Sequence, residues 1–123
     1  MEWKGVAQFD DVVIDFDRME IWRSGHAIPA TDLEFRLLGF FMFNPQIVFS
    51  REELIRAVWP KRERRRMTSR IVDNYIAHLR QKLEEDPRCP VYFQTVLRAG
   101  YKFVPEMKRA RSRPFETVRD RSS

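Results

Sequence analysis

The sequence predicts an α+β fold in one domain, with an N-terminal antiparallel sheet, three helices and a C-terminal β-hairpin. Three observations predict it. Residues 6–28 hold short apolar stretches broken by acidic and glycine-containing turns. Residues 31–86 carry apolar positions at helical spacing in three runs, each followed by proline. Residues 91–105 return to a strand-like pattern around the turn Arg98-Ala99-Gly100.

In the first part, "VVIDF" at 12–16, "MEIW" at 19–22 and "HAI" at 26–28 are strand segments, with "RSGH" as a turn and Asp10, Asp11 and "DFDR" at the rim. The first helix opens at Thr31. Thr31 and Glu34 have the spacing of a capping box, in which each side chain satisfies a backbone donor of the other residue. Leu33, Leu37, Leu38, Phe41 and Met42 follow at helical spacing, and Asn44-Pro45 ends the run. Ser50 and Glu53 repeat the box, and Leu54, Ala57 and Val58 form the inner stripe of a second helix stopped by Pro60.

The stretch "KRERRR" at 61–66 is read as a loop with five cations against Glu63. A third helix follows, capped by Thr68 or Ser69, with Val72, Ile76, Leu79 and Leu83 on its core face. Positions 70, 74, 77, 78 and 81 lie away from that stripe. Glu84, Glu85 and Asp86 stand at its C-terminal end, where the helix dipole disfavours acids. The hairpin pairs Phe93–Leu97 with Tyr101–Val104. Sheet, three helices and hairpin in this order make a winged helix-turn-helix, whose last helix is shaped to enter a DNA major groove. Residues 1–105 form this domain, and the charged tail 106–123 is expected to be disordered.

Composition narrows the function. Net charge is +5, but residues 1–49 sum to −4 and residues 50–123 to +9, so one end is suited to a polyanion. The single cysteine, Cys89, excludes an internal disulfide framework and a cysteine-rich zinc site. The sequence lacks a Gly-rich phosphate loop, metal-spaced His/Cys cluster and nucleophile triad, so an enzyme is not expected, nor is a cofactor or metal. It also lacks a bilayer-length apolar run and a signal-peptide core, so a cytoplasmic protein that does not enter the membrane is expected.

Three segments carry a family resemblance: "LEFRLLGFFMFNPQIVFSREELIRAVW", "RIVDNYIAHLRQKLEEDP" and "FQTVLRAGYKF". Together they resemble the output domain of OmpR/PhoB-type response regulators, over roughly residues 8–105. The resemblance implies a leading four-stranded sheet, double-stranded DNA as partner, and transcription regulation in bacterial two-component (phosphorelay) signalling. It further implies binding as a tandem dimer on direct repeats, and contact with RNA polymerase through the loop between the last two helices. That loop contains Lys61, Arg62, Arg64, Arg65 and Arg66, which suit polymerase or phosphate. The usual partner of such an output domain is a receiver with an acceptor aspartate. This chain has no room for one, so it is expected to be either a fragment of a longer regulator or a stand-alone domain, and in either case no phosphoacceptor is assigned.

Carried over residue by residue, the resemblance puts Asn74, Tyr75, His78 and Arg98 at bases or grooves, and Trp59, Arg70, Arg80, Thr95 and Tyr101 on the DNA backbone. Competing readings stand beside several of these. Arg80 could pair with Glu84, and Asn74 or His78 could simply be solvated. Trp59 could be core, and Tyr101 a packed hairpin aromatic. Asp73 is expected to orient Arg70, three residues earlier.

Two departures from the family stand out. His78 stands where arginine is common, and offers one donor and one acceptor in place of a bidentate grip on guanine. Leu97 replaces the usual wing arginine, leaving Arg98 as the minor-groove probe. These departures leave one rival reading open: a winged-helix module that docks protein without binding DNA. RNA binding is disfavoured because no aromatic stacking platform is evident.

Overall fold

The computed structural model describes residues 4–105 and the backbone of Glu116–Thr117. Four short strands come first: β1 (Val6–Phe9), β2 (Val12–Asp15), β3 (Glu20–Arg23) and β4 (His26–Ile28). They pair antiparallel in sequence order, with Phe9 opposite Val12, Ile14 opposite Ile21, and Ile21 opposite Ile28. The inward side chains alternate as a half-buried sheet requires: Ala7, Phe9, Val12, Ile14 and Ile21 are buried. The tight turns use left-handed residues, Asp10 between β1 and β2 and Ser24-Gly25 between β3 and β4.

Both capping boxes form. Thr31 closes the start of α1 (Asp32–Met42) and Ser50 that of α2 (Arg51–Val58), each with its N3 glutamate returning the bond. The inner stripe of α2 differs from the expected one. Leu54, Ile55 and Val58 are buried, while Ala57 faces solvent. The larger Ile55 takes the inward place because it removes more apolar surface from water. The basic segment Lys61–Arg66, expected as a loop, is a 3-10 helix.

Helix α3 (Ser69–Leu83) buries Val72, Ile76, Leu79 and Leu83, the stripe read from the sequence. Truncating Ile76, Leu79 or Leu83 to alanine would cost roughly 2–5 kcal/mol. Thr68 is its N-cap residue but makes no side-chain capping bond.

The hairpin β5 (Phe93–Val96) and β6 (Gly100–Phe103) follows, and Phe49 adds a single bridge to Tyr101. Gly100 is required there. Its φ is +140°, and a Cβ would lie 1.9 Å from the Phe49 carbonyl oxygen. Phe9, Phe41, Phe93 and Phe103 meet edge-on or tilted and join the sheet, α1 and the hairpin into one core.

The charged tail expected to be disordered lies outside the described residues, except for β7 (Glu116–Thr117), which pairs antiparallel with β1 at Ala7 and Gln8. Among the described residues, no helix is long and apolar enough to cross a membrane.

Candidate nucleic-acid interface

The outward face of α3 consists of Arg70, Asn74, Ala77, His78 and Gln81, all exposed. This follows from helix geometry: with Val72, Ile76, Leu79 and Leu83 inward, these five positions fall on the opposite arc. Arg70 and Asn74 stand free of ion pairs among the described residues.

Tyr75 sits at the edge of this face and is half-buried. Its ring meets Trp59 edge-on at 5.2 Å and His78 at 5.7 Å. Burial, then the negative charges of Glu34 and Glu63, push its phenol above the usual value, so it remains a hydrogen-bond donor near neutrality. Trp59 itself is buried, at 2% exposure.

His78 is half-exposed, and its Nδ1 lies 3.1 Å from Glu34 Oε2. Glu34 is buried beneath it and works for two elements at once. One oxygen accepts from Thr31 N–H in the α1 cap, and Lys82 Nζ reaches the same oxygen at 2.5 Å. Burial alone would raise the Glu34 carboxyl. The Lys82 and Thr31 hydrogen bonds, with the charges of Lys82 and His78, outweigh it and hold the group below the usual carboxylate range.

The wing is fastened to α3 at three places. Arg80 donates from Nε (2.9 Å) and Nη2 (2.7 Å) to the Phe93 carbonyl, and from Nη2 to Thr95 Oγ1 at 2.8 Å. It therefore does not pair with Glu84, and it positions the exposed Thr95. Glu84, expected to be an unfavourable acid at the helix end, is buried. Its two oxygens accept N–H bonds from Val91, Tyr92 and Phe93, each at 2.8 Å. An acid past the helix end is stabilised here because three orphan amides converge on it. The third fastening is Tyr101, whose hydroxyl donates to Asp73.

Asp73 differs from the sequence expectation. Its oxygen lies 2.7 Å from Arg51 Nε on α2 and also takes the Tyr101 hydroxyl; Arg70 contributes only a weaker, longer-range charge. Burial would raise this carboxyl, but Tyr101, Arg51 and Arg70 together lower it. Tyr101, expected on the backbone-facing surface, is buried at 5% exposure with its hydroxyl taken up by Asp73. The guanidinium carbons of Arg51 and Arg80 lie 5.4 and 5.7 Å from its ring centre.

At the wing tip, Arg98 is exposed in a left-handed conformation, with φ +66°. Leu97 beside it is 82% exposed.

In the basic 3-10 helix, Arg64 turns inward and donates to the Trp59 and Arg56 carbonyls at 3.1 and 2.6 Å. Lys61, Arg62, Arg65 and Arg66 point to solvent. Arg70, Asn74, His78, Thr95 and Arg98 are thus all exposed on α3 and the wing, two elements fastened to each other, while Tyr101 and Trp59 support them from inside. The Asp73–Arg51, Glu84–amide and Glu34–Lys82 contacts were not legible in sequence.

Comparison with known proteins agrees with this geometry. Residues 25–103 match the family model for the C terminal of transcriptional regulatory proteins. Over 100 residues the chain is 36% identical to the KDP operon transcriptional regulatory protein KdpE of Escherichia coli, covering 80% of this chain and 43% of KdpE. The response regulator DrrB of Thermotoga maritima, an OmpR/PhoB homologue, superposes with a TM-score of 0.74 at 32% identity, over 84% of this chain and 46% of DrrB. The DNA-binding domain of response regulator AdeR, solved in complex with an intercistronic region, aligns with a TM-score of 0.65 at 25% identity, over 79% of this chain and 97% of that domain. The chain spans less than half the length of the curated relatives it matches.

Proposed function

Because this chain belongs to the OmpR/PhoB-type family of transcriptional regulatory protein C-terminal domains, we propose that it binds duplex DNA sequence-specifically and regulates transcription. Helix α3 lies in the major groove and the wing tip at the minor groove. The observation that carries this reading is the exposed arc of Arg70, Asn74, Ala77, His78 and Gln81, opposite a fully buried stripe and beside a wing that Arg80, Glu84 and Tyr101 hold in place. A rigid pair of elements keeps a fixed spacing between major- and minor-groove contacts.

Each residue has a part by chemistry. Asn74 suits adenine N6 and N7, and Ala77 a thymine methyl. Arg70 is a phosphate contact, and Thr95 offers a hydroxyl to the backbone. Arg98 enters the minor groove, where narrow A·T tracts attract guanidinium groups. Lys61, Arg62, Arg65 and Arg66 meet phosphate or RNA polymerase, and two copies sit in tandem on direct repeats. The chain acts in the cytoplasm.

The test is selection of bound duplexes from a random pool, with affinity followed against salt. An enriched motif and an affinity that falls steeply with salt are expected, with Arg70→Ala reducing the log–log salt slope by about one. Arg98→Ala weakens the flanking A·T preference.

One observation favours a second reading. Leu97, 82% exposed at the wing tip where the family resemblance places an arginine, takes a groove-contacting cation from the wing and suits a protein-docking module. A docking module shows no enriched motif and little duplex affinity even at low salt.

A further inference from the structure

We propose that Glu34 sets the base preference at His78 by fixing which imidazole nitrogen carries the proton, so that His78 selects a base with an amino group, adenine or cytosine, and rejects guanine. The inference rests on the DNA-binding reading and names a specificity device within it.

His78 Nδ1 lies 3.1 Å from Glu34 Oε2. Glu34 is a carboxylate, held ionised by Lys82 and by the Thr31 N–H. A negative oxygen at that distance repels a lone pair on Nδ1 and attracts a proton there. Neutral imidazole has one donor nitrogen and one acceptor nitrogen, so with Nδ1 protonated, Nε2 is the acceptor.

The contact cannot drift freely. Glu34 is 4% exposed, and its other oxygen is taken by Lys82 and the α1 cap. The His78 ring also lies 5.7 Å from the ring of Tyr75, which itself packs edge-on against Trp59. The side chain of His78 is 51% exposed, and Nε2 has no partner among the described residues. An acceptor presented to a major groove meets a donor only at adenine N6 or cytosine N4; guanine offers N7 and O6, both acceptors, and repels it. Glu34 is thus a positioning residue, and one acid serves helix capping, helix packing and base choice.

Two measurements on the intact chain test this. Nitrogen-15 NMR of the imidazole, at a pH where His78 is shown by titration to be neutral, reports its tautomer without DNA. The expected result is the Nδ1–H form, shifting towards a mixture in Glu34→Gln, which keeps the S/T-x-x-Q cap but removes the charge. Because an imidazolium would present Nε2–H as a donor, duplex selection is then run at that same pH on the wild type, His78→Ala and Glu34→Gln. The position read by His78 is the one that relaxes in His78→Ala.

There the wild type is expected to favour adenine or cytosine over guanine by roughly fivefold, the worth of one hydrogen bond, and Glu34→Gln to lose most of that preference. An Nε2–H tautomer, guanine at that position, or an unchanged preference in Glu34→Gln overturns the inference alone. Absence of any enriched motif with the Nδ1–H form intact overturns the DNA-binding reading, and the base-choice claim with it.

Discussion

The Tyr101 hydroxyl donates to the Asp73 carboxylate, joining the second strand of the wing to the N-terminal half of α3. Arg51 reaches the same carboxylate oxygen from α2, so three elements meet at one charge. Tyr101→Phe removes the wing tie and leaves Arg51 in place. The expected loss of stability is about 2 kcal/mol, the net worth of a hydrogen bond to a charged group, read from the urea midpoint. Duplex affinity falls further than stability alone accounts for, because the wing loses part of its fixed spacing.

Glu84 gives a larger effect. Its carboxylate accepts three backbone N–H bonds in a buried place. Glu84→Ala leaves those donors without partners and opens a void, with an expected cost of about 4 kcal/mol. Glu84→Gln keeps one good acceptor and costs less. Equal midpoints for the two variants in denaturant unfolding would contradict this account of the helix end.

Gly100→Ala separates backbone strain from packing. A methyl group there meets the Phe49 carbonyl, and the backbone has φ +140°. A destabilisation of at least about 2 kcal/mol is expected, together with loss of the Phe49–Tyr101 bridge. Gly25→Ala, where no atom lies within 4 Å of an added Cβ, meets only the conformational cost at φ +80° and is milder. Thermal unfolding of the pair checks the order.

Acid sensitivity follows from Asp73 and Glu34. In both, burial raises the carboxyl but basic and hydrogen-bonding partners more than compensate, so the folded value lies below the unfolded one. Their contribution to stability is therefore complete above the unfolded values, near pH ~4, and is lost as pH falls through the depressed folded values. Stability measured from pH 7 downward should hold these contributions until about pH 4 and then decline. Asp73→Asn should lower stability at pH 7 and make the acid limb shallower.

The sequence carried more of the fold than of the site's internal wiring. Capping boxes at Thr31–Glu34 and Ser50–Glu53 are local signals, and both form. The stripe from Val72 to Leu83 is periodic, so its inward face, and hence its outward one, was readable before any coordinates. Strand β1 was harder, because in "VAQF" the apolar Val6 lies on the outer face and the small Ala7 on the inner one, which blurs the alternation. The partner of Asp73 was missed because Arg51 lies 22 residues away and meets it only when α2 packs on α3. Glu34 was read correctly as a cap, but its hold on Lys82 and His78 depends on how α1 lies against α3, which spacing does not encode. Glu84 looked unfavourable by its place on the helix; only the chain's return at residues 91–93 supplies its donors.

Backbone and side-chain chemical shifts followed during titration with a selected duplex give the most direct test of the central claim. The largest changes are expected at Arg70, Asn74, Ala77, His78 and Gln81 and across Leu97 to Ala99, with little change on the outer face of the β1–β4 sheet. Changes confined to that sheet, with α3 and the wing tip unmoved at saturating duplex, would contradict it.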